Sequence, residues 1–357
     1  MKNVKCIENS IVVFDHICID GTPKEHFCTT RIQTHDHKDH MKNFFGSYAR
    51  LKHTILTEPT FEILKKISYK KQSQGLDIRP NIRKLKYKEK FIFDEDGESY
   101  AVTLFQNAHI LGSSMSLVEK IATGETILYS SDLGPQIIEK DLHIPKADTV
   151  IIDATVGSVD PDNQKEWNTS IERLIEKLVE ISDQDRPFQF AGVRGTIEKV
   201  MQSLASAFPD IPILISNKLK NTLDVYQKEG FQITNPVECI SNIDISDIPK
   251  YFYFCVDDEE SCEVHYGDPI YFTLSGFELI KSKEYIKELL DNHFNCFVTA
   301  HASYQTYIDF ILKTEAKNII IDNTRTNAGV ERVLNSFKSE KILENVSVKS
   351  LKELTNG

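Results

Sequence analysis

Apolar positions along this chain fall into short runs that alternate between a two-residue and a helical period, and their order predicts an α/β protein. Residues 10–19 (Ser-Ile-Val-Val-Phe-Asp-His-Ile-Cys-Ile) are β-branched and apolar and read as one strand, closed by the turn residues Asp20-Gly21-Thr22-Pro23. Residues 27–33 read as a second strand, 41–45 as the first turn of a helix, 52–57 as a strand, and 60–68, following Pro59, as a helix. Segments 89–93 and 99–106 flank the polar turn Asp94-Glu95-Asp96-Gly97 and predict an antiparallel hairpin. Two more strands run into carboxylates, one from 125 toward Asp132 and one from 149 into Asp153. Further on, residues 169–181 keep a helical period, with Ile171, Leu174, Ile175 and Leu178 facing in and Ser170, Arg173 and Lys177 facing out. A strand at 211–215 and a helix at 219–229, stopped at Gly230, follow it. Strands alternating with helices here predict a parallel sheet.

The length, 357 residues, is enough for a full core and fits about two domains. A composition of 40% hydrophobic and 27% charged residues is that of a globular protein. No apolar run reaches the roughly 18 residues a membrane span needs, and the opening Met-Lys-Asn-Val-Lys leads into no signal-peptide core. An intracellular protein with no membrane partner is therefore expected, cytoplasmic, or nuclear in a eukaryote. The 7 cysteines are scattered and never spaced C-x-x-C, which favours reduced, buried thiols over a disulfide frame or a Cys-rich zinc site. A net charge of -11 argues mildly against a polyanionic partner. Its distribution is uneven, since residues 65–90 hold ten Lys or Arg against Asp77 and Glu89. That run reads either as a solvated face or as a strip that tracks phosphates.

The chemistry concentrates in Thr34-His35-Asp36-His37-Lys38-Asp39-His40. Imidazoles and carboxylates this dense cannot share one face of a helix or strand, so they predict a loop gathered around a cation. Nitrogen and oxygen donors at close quarters suit Zn²⁺, with Mn²⁺ or Fe as alternatives. Preceded by a strand, the loop would lie at a carboxyl end, where α/β proteins build sites. His109, at the end of the predicted hairpin and followed by Gly112, Ser113 and Ser114, is placed to complete a tripod with His35 and His37. Asp132 is placed to bridge two cations.

In order along the chain, H-x-H-x-D-H, His109 and Asp132 resemble the metallo-β-lactamase superfamily. The later segments resemble its β-CASP nuclease branch. Asp153-Ala154-Thr155 looks like the acidic motif that opens the inserted cap. Residues 188–195 look like the cap's Gly-Arg turn, though Val193 intervenes between Gly192 and Arg194. Residues 268–276 are similar to the strand leading out of the cap, and 298–304, around His301, to the segment after it. The RNA-processing members carry a further histidine where this chain has Asn318-Ile319-Ile320-Ile321-Asp322-Asn323-Thr324. Its absence resembles the DNA cross-link repair and Artemis-like members, and puts full occupancy of a second metal in doubt unless Asp322 or water substitutes.

The resemblance implies an αββα sandwich with an inserted α/β cap: residues 1–156 and 274–357 in the sandwich, 157–273 in the cap, and a substrate channel between them. It implies that His35, His37 and His109 hold one metal, that Asp39 and His40 hold a second, and that Asp132 bridges. His301 would serve the leaving oxygen, and Asp153 would orient a liganding imidazole. Ser113, Ser303, Tyr304 and Arg194 are the implied substrate contacts. The implied activity is metal-dependent hydrolysis of nucleic-acid phosphodiesters with one or two Zn²⁺, DNA favoured over RNA and exonucleolytic cutting expected. Hydrolysis of a small ester or thioester on the same scaffold is the alternative.

Overall fold

The computed structural model describes residues 2–47, 50–67, 81–153, 165–182, 186–245, 248–256, 268–275, 279, 282–324, 330–344 and 346–354. Residues 68–80 of the basic run, Ala154 and Thr155 of the acidic motif, the 156/157 boundary and Gly276 lie outside the described residues. By its contacts the chain divides into two units, Met1–Gln164 with His301–Gly357, and Lys165–Ala300.

The first unit begins with a six-stranded sheet in the order β1 (Val4–Ile7), β2 (Ser10–Val13), β3 (Ile17–Ile19), β4 (Thr30–Ile32), β5 (His53–Thr57), β6 (Ile82–Leu85). β1, β2 and β3 are antiparallel and β3 to β6 parallel. Residues 10–19, expected as one strand, make two. Phe14 and Asp15 adopt φ +49° and +63° and turn β3 back on β2. Phe14 is buried even in that turn, so Asp15, exposed, and His16 are the whole of the polar break in an otherwise apolar run. Helices α1 (Phe44–Ser47) and α2 (Glu58–Ile67) follow β4 and β5. A second sheet opens with β7 (Lys90–Glu95), β8 (Glu98–Gln106), β9 (Ser114–Lys120) and β10 (Glu125–Tyr129), all antiparallel, then β11 (Thr149–Asp153), parallel to β10. The expected hairpin is β7–β8, turning on Asp96 and Gly97 at φ +50° and +79°.

The second unit carries helices α3 (Trp167–Glu180), α4 (Thr196–Ala207) and α5 (Asn217–Lys228). Its strands are β12 (Phe188–Gly192), β13 (Ile213–Ile215), β14 (Val237–Cys239), β15 (Phe252–Val256), β16 (Ile270–Leu274), β17 (Ile286–Leu290) and β18 (His293–Cys296). They form one sheet, β14-β13-β15-β12-β16-β18-β17, parallel throughout except for the β17–β18 pair. The chain returns to the first unit at His301 rather than at 274, because β16, β18 and β17 pair within this sheet. Ser170, expected to face out, is buried, its hydroxyl satisfied by the Glu166 carbonyl.

The returning segment supplies α6 (Tyr304–Thr314), β19 (Asn318–Asp322), α7 (Val330–Ser339) and β20 (Ser347–Ser350). β19 and β20 extend the second sheet to the order β20-β19-β11-β10-β9-β8-β7. Three apolar clusters set the layers of this unit. Ile11, Val13, Ile17, Ile32 and Ile55 of the first sheet pack with Val102, Val118, Tyr129, Ile151 and Ile320 of the second. On the second sheet's other face, Leu128, Val150, Ile152, Ile319 and Ile321 meet Tyr307, Phe310, Val333 and Phe337. Leu56 on the first sheet meets Phe44, Phe61 and Leu64. The unit is thus helix, sheet, sheet, helix, with β10, β11 and β19 carrying buried apolar residues on both faces.

Cys6, Cys18, Cys28, Cys239 and Cys296 are free thiols, whereas Cys255 is disulfide-bonded, against the expectation of reduced cysteines. Among the described residues no helix is long and apolar enough to cross a membrane.

Candidate metal centre

Five strand-to-loop and loop-to-helix junctions of the first unit converge here: Asp20 after β3, His35 to His40 after β4, His109 after β8, Asp132 after β10 and His301 ahead of α6. Backbone strain marks three of them. Asp20, Ala108 and Ser131 adopt φ +52°, +61° and +52°, a conformation that costs a side chain roughly 1–2 kcal/mol. Each such residue is a ligand candidate, or directly precedes one, so the strain sits where the backbone must re-aim a side chain.

Candidate ligand atoms of His35, His37, His109 and Asp132 all lie within 4.8 Å of one another, and so do those of Asp20, His35 and His40. His37 Nδ1 is 3.2 Å from His109 Nε2, which is 3.4 Å from Asp132 Oδ2, itself 3.6 Å from His35 Nε2. A tetrahedral cation with bonds of about 2.0–2.1 Å has ligand-to-ligand edges of about 3.3 Å. The donor set fits it.

Hydrogen bonding assigns the tautomers. The Ser131 hydroxyl donates to Thr34 Oγ1 (2.8 Å), and the Thr34 hydroxyl donates to Asp20 Oδ2 (2.5 Å). Neither proton is left for His35 Nδ1, 3.0 Å from Thr34 Oγ1, so that nitrogen is the donor. His35 Nε2 then presents a lone pair, and this buried atom has no hydrogen-bond partner. Likewise His40 Nδ1 donates to Asp20 Oδ2 at 2.7 Å, turning Nε2 toward Asp132 Oδ1 (3.1 Å) and Asp39 Oδ2 (3.5 Å). A lone pair facing two carboxylates requires a proton or a cation between them. Burial holds His35 well below the usual imidazole range, with His40 and His37 adding to the effect. For Asp132, burial alone would raise the carboxyl, yet the imidazoles of His40, His301 and His109 hold it well below the usual carboxylate range. Neutral imidazole and ionised carboxylate are the ligand forms.

His301 Nδ1 lies 3.9 Å from Asp132 Oδ2, its ring 4.8 Å from that of His109, and burial lowers its pKa. Asp39 is exposed, at the open edge beside His40. A pocket of about 410 Å³ opens there, with Lys38, Lys42 and Asp39 on its wall.

The other sequence candidates have the following surroundings. Asp153 is buried at the end of β11, in register with Asp322 of β19, and its backbone N–H donates to Ser130 Oγ. At the ligand loops, Thr34 and Ser131 orient His35, and Asp20 orients His40. Ser113 is buried, its hydroxyl engaged by Asn107 and Ile110 inside the 107–113 loop. Ser303 caps α6 by accepting from the Thr306 N–H. Tyr304 packs on Phe337 and donates to Glu340. Arg194 belongs to the second unit, half-buried between β12 and α4. The sequence reading missed Asp20, Thr34, Ser131 and Asn107. Asn107 donates to the Asp132 carbonyl and accepts from the His109 N–H, tying two ligand loops together. The one signal available was Asp20, a carboxylate ending an apolar run.

No protein-family model matches the chain, and no curated protein is significantly similar to it. Among solved structures it resembles a protein of unknown function from Enterococcus faecalis V583, with a TM-score of 0.53 at 13% identity over 92% of this chain and 80% of that one. That likeness extends to the fold alone.

Proposed function

We propose that the chain is a metal-dependent hydrolase of nucleic-acid phosphodiesters, built as a metallo-β-lactamase αββα sandwich with a β-CASP cap. The observation that carries this reading is the convergence of His35, His37, His109 and Asp132, drawn from three distant segments, onto one cation-sized space. The helix, sheet, sheet, helix layering of the first unit supports the family resemblance. A cation bound there would lower the pKa of a water and offset charge on phosphoryl oxygens, with Zn²⁺ the first candidate and Mn²⁺ the second. His35, His37, His109 and Asp132 would hold it, and His40 and Asp39 would hold a second. His301 supplies a hydrogen-bond donor on the leaving side, and Lys38 and Lys42 line the approach beside Asp39.

The test offers the protein, loaded with Zn²⁺ or Mn²⁺, labelled single- and double-stranded DNA and RNA beside a generic ester and a thioester. Cleavage of DNA from an end is the expected result; turnover of only the small esters would replace this reading. Two observations favour that second reading: the net charge of -11, and the partial neutralisation of the basic strip. Lys84 pairs with Glu58 at 2.9 Å and Lys90 with Glu119 at 2.7 Å.

Replacing Lys84, Lys86 and Lys88 together with glutamine is expected to weaken nucleic-acid binding. Because Glu58 already engages Lys84, the log–log salt slope should drop by roughly 2 rather than 3. Filter binding between low and moderate salt measures it, and an unchanged slope would make the strip a solvated face.

A further inference from the structure

Among the described residues Arg31 is the largest fully buried side chain, at 0% exposure in the middle of β4. Its Nε and Nη2 donate to Gln33 Oε1 at 3.1 and 2.6 Å, and Nη1 to Thr22 Oγ1 (2.9 Å) and the Lys42 carbonyl (2.8 Å). Nη2 also donates to the His40 carbonyl at 3.2 Å, so all five guanidinium donors are used and none goes to a carboxylate. Gln33, two residues along and on the same face of the strand, donates through Nε2 to the carbonyls of His35 (2.6 Å) and His40 (3.2 Å). The guanidinium also lies over the Phe44 ring, 5.1 Å from its centroid.

A buried guanidinium without a bonded carboxylate is costly, and apolar side chains would fill this strand at lower desolvation cost. What the arrangement supplies is grip. Together the pair holds backbone carbonyls at both ends of the histidine loop, His35 through Gln33 and Lys42 through Arg31, and the His40 carbonyl takes a bond from each. On its side-chain end His40 is held by Asp20. His37, His109 and Asp132 receive no bond from the fork.

The geometry points to Arg31 and Gln33 as a clamp that sets the spacing of His40 from His35, and so governs binding of a second cation at His40, Asp39 and Asp132. This rests on the two-cation reading above. Both are positioning residues, since neither reaches a ligand atom.

Equilibrium dialysis of the full chain against Zn²⁺ or Mn²⁺ alone, with elemental analysis and thermal melting, tests it. The parent should bind two ions. In Arg31→Met the second should weaken by at least about tenfold, the range for outer partners of a ligand, while the first stays within about twofold. Gln33→Met leaves Arg31 its other acceptors and should show the same split, and it carries the test if Arg31→Met does not fold. Equal weakening of both ions with a lower melting temperature, or no weakening, would overturn the clamp and leave the hydrolase reading standing. A parent that binds fewer than two ions would remove the two-cation reading, and the clamp with it.

Discussion

Replacing His37 by alanine is expected to strip both metal and activity from the protein, whereas His301→Ala should remove activity and leave the metal in place. His37 Nδ1 stands 3.2 Å from His109 Nε2 and belongs to the four-residue group whose ligand atoms share one cation-sized space. Even outer partners of a ligand cost about 10–100-fold in metal affinity when lost, so loss of a direct ligand should exceed 100-fold. His301 stands 3.9 Å from Asp132 and with its ring 4.8 Å from that of His109, and it is absent from the group. Its removal should lower turnover by about two to four orders of magnitude, the usual contribution of a positioned proton donor. Metal per chain by elemental analysis and turnover on a labelled oligonucleotide measure the two effects. Metal lost from His301→Ala would make His301 a ligand and dissolve the division of labour.

The second large effect is expected at Gly134. A Cβ built there would lie 1.9 Å from the Ala108 carbonyl oxygen and 2.6 Å from the His109 nitrogen, both backbone atoms. The approach is fastened by the Gly134 N–H donating to the Asn107 carbonyl at 2.8 Å. Backbone cannot swing aside as a side chain can, so Gly134→Ala has to push the 107–109 strand end away from Asp132. A cost of about 3 kcal/mol or more is expected, the upper end for overpacking, together with weaker metal binding. Urea unfolding of the metal-free protein isolates the stability part, and a midpoint matching the parent's would show that the loops separate freely. Nothing near Gly134 in sequence announces this; it is a contact with Asn107 and Ala108, in a loop remote along the chain.

These two sites bracket what could be read in advance. H-x-H-x-D-H was legible because six adjacent residues carry the donor types, and strand ends at His109 and Asp132 were legible from apolar runs that stop on polar residues. The orienting shell was not. Asp20, Thr34 and Ser131 are ordinary turn and strand residues whose role is a proton chain across three segments, and a one-dimensional pattern contains no such adjacency. Ser113 and Tyr304 illustrate the converse. Beside a glycine or a histidine their hydroxyls look available, yet local loop closure and a bond to Glu340 engage them.

By itself the sequence determined most of the element types it addressed, the parallel sheet of the second unit and His35, His37, His40, His109 and Asp132 as candidate ligands. Periodicity and residue chemistry are local properties, so they survive without coordinates. Only the tertiary structure decided where the first hairpin turns, that the second unit keeps β16 to β18, and which nitrogen of His35 and His40 faces the cation space. Each of those depends on a hydrogen bond or a packing contact between residues remote along the chain. Their free energies are settled by three-dimensional neighbours and leave no trace in spacing.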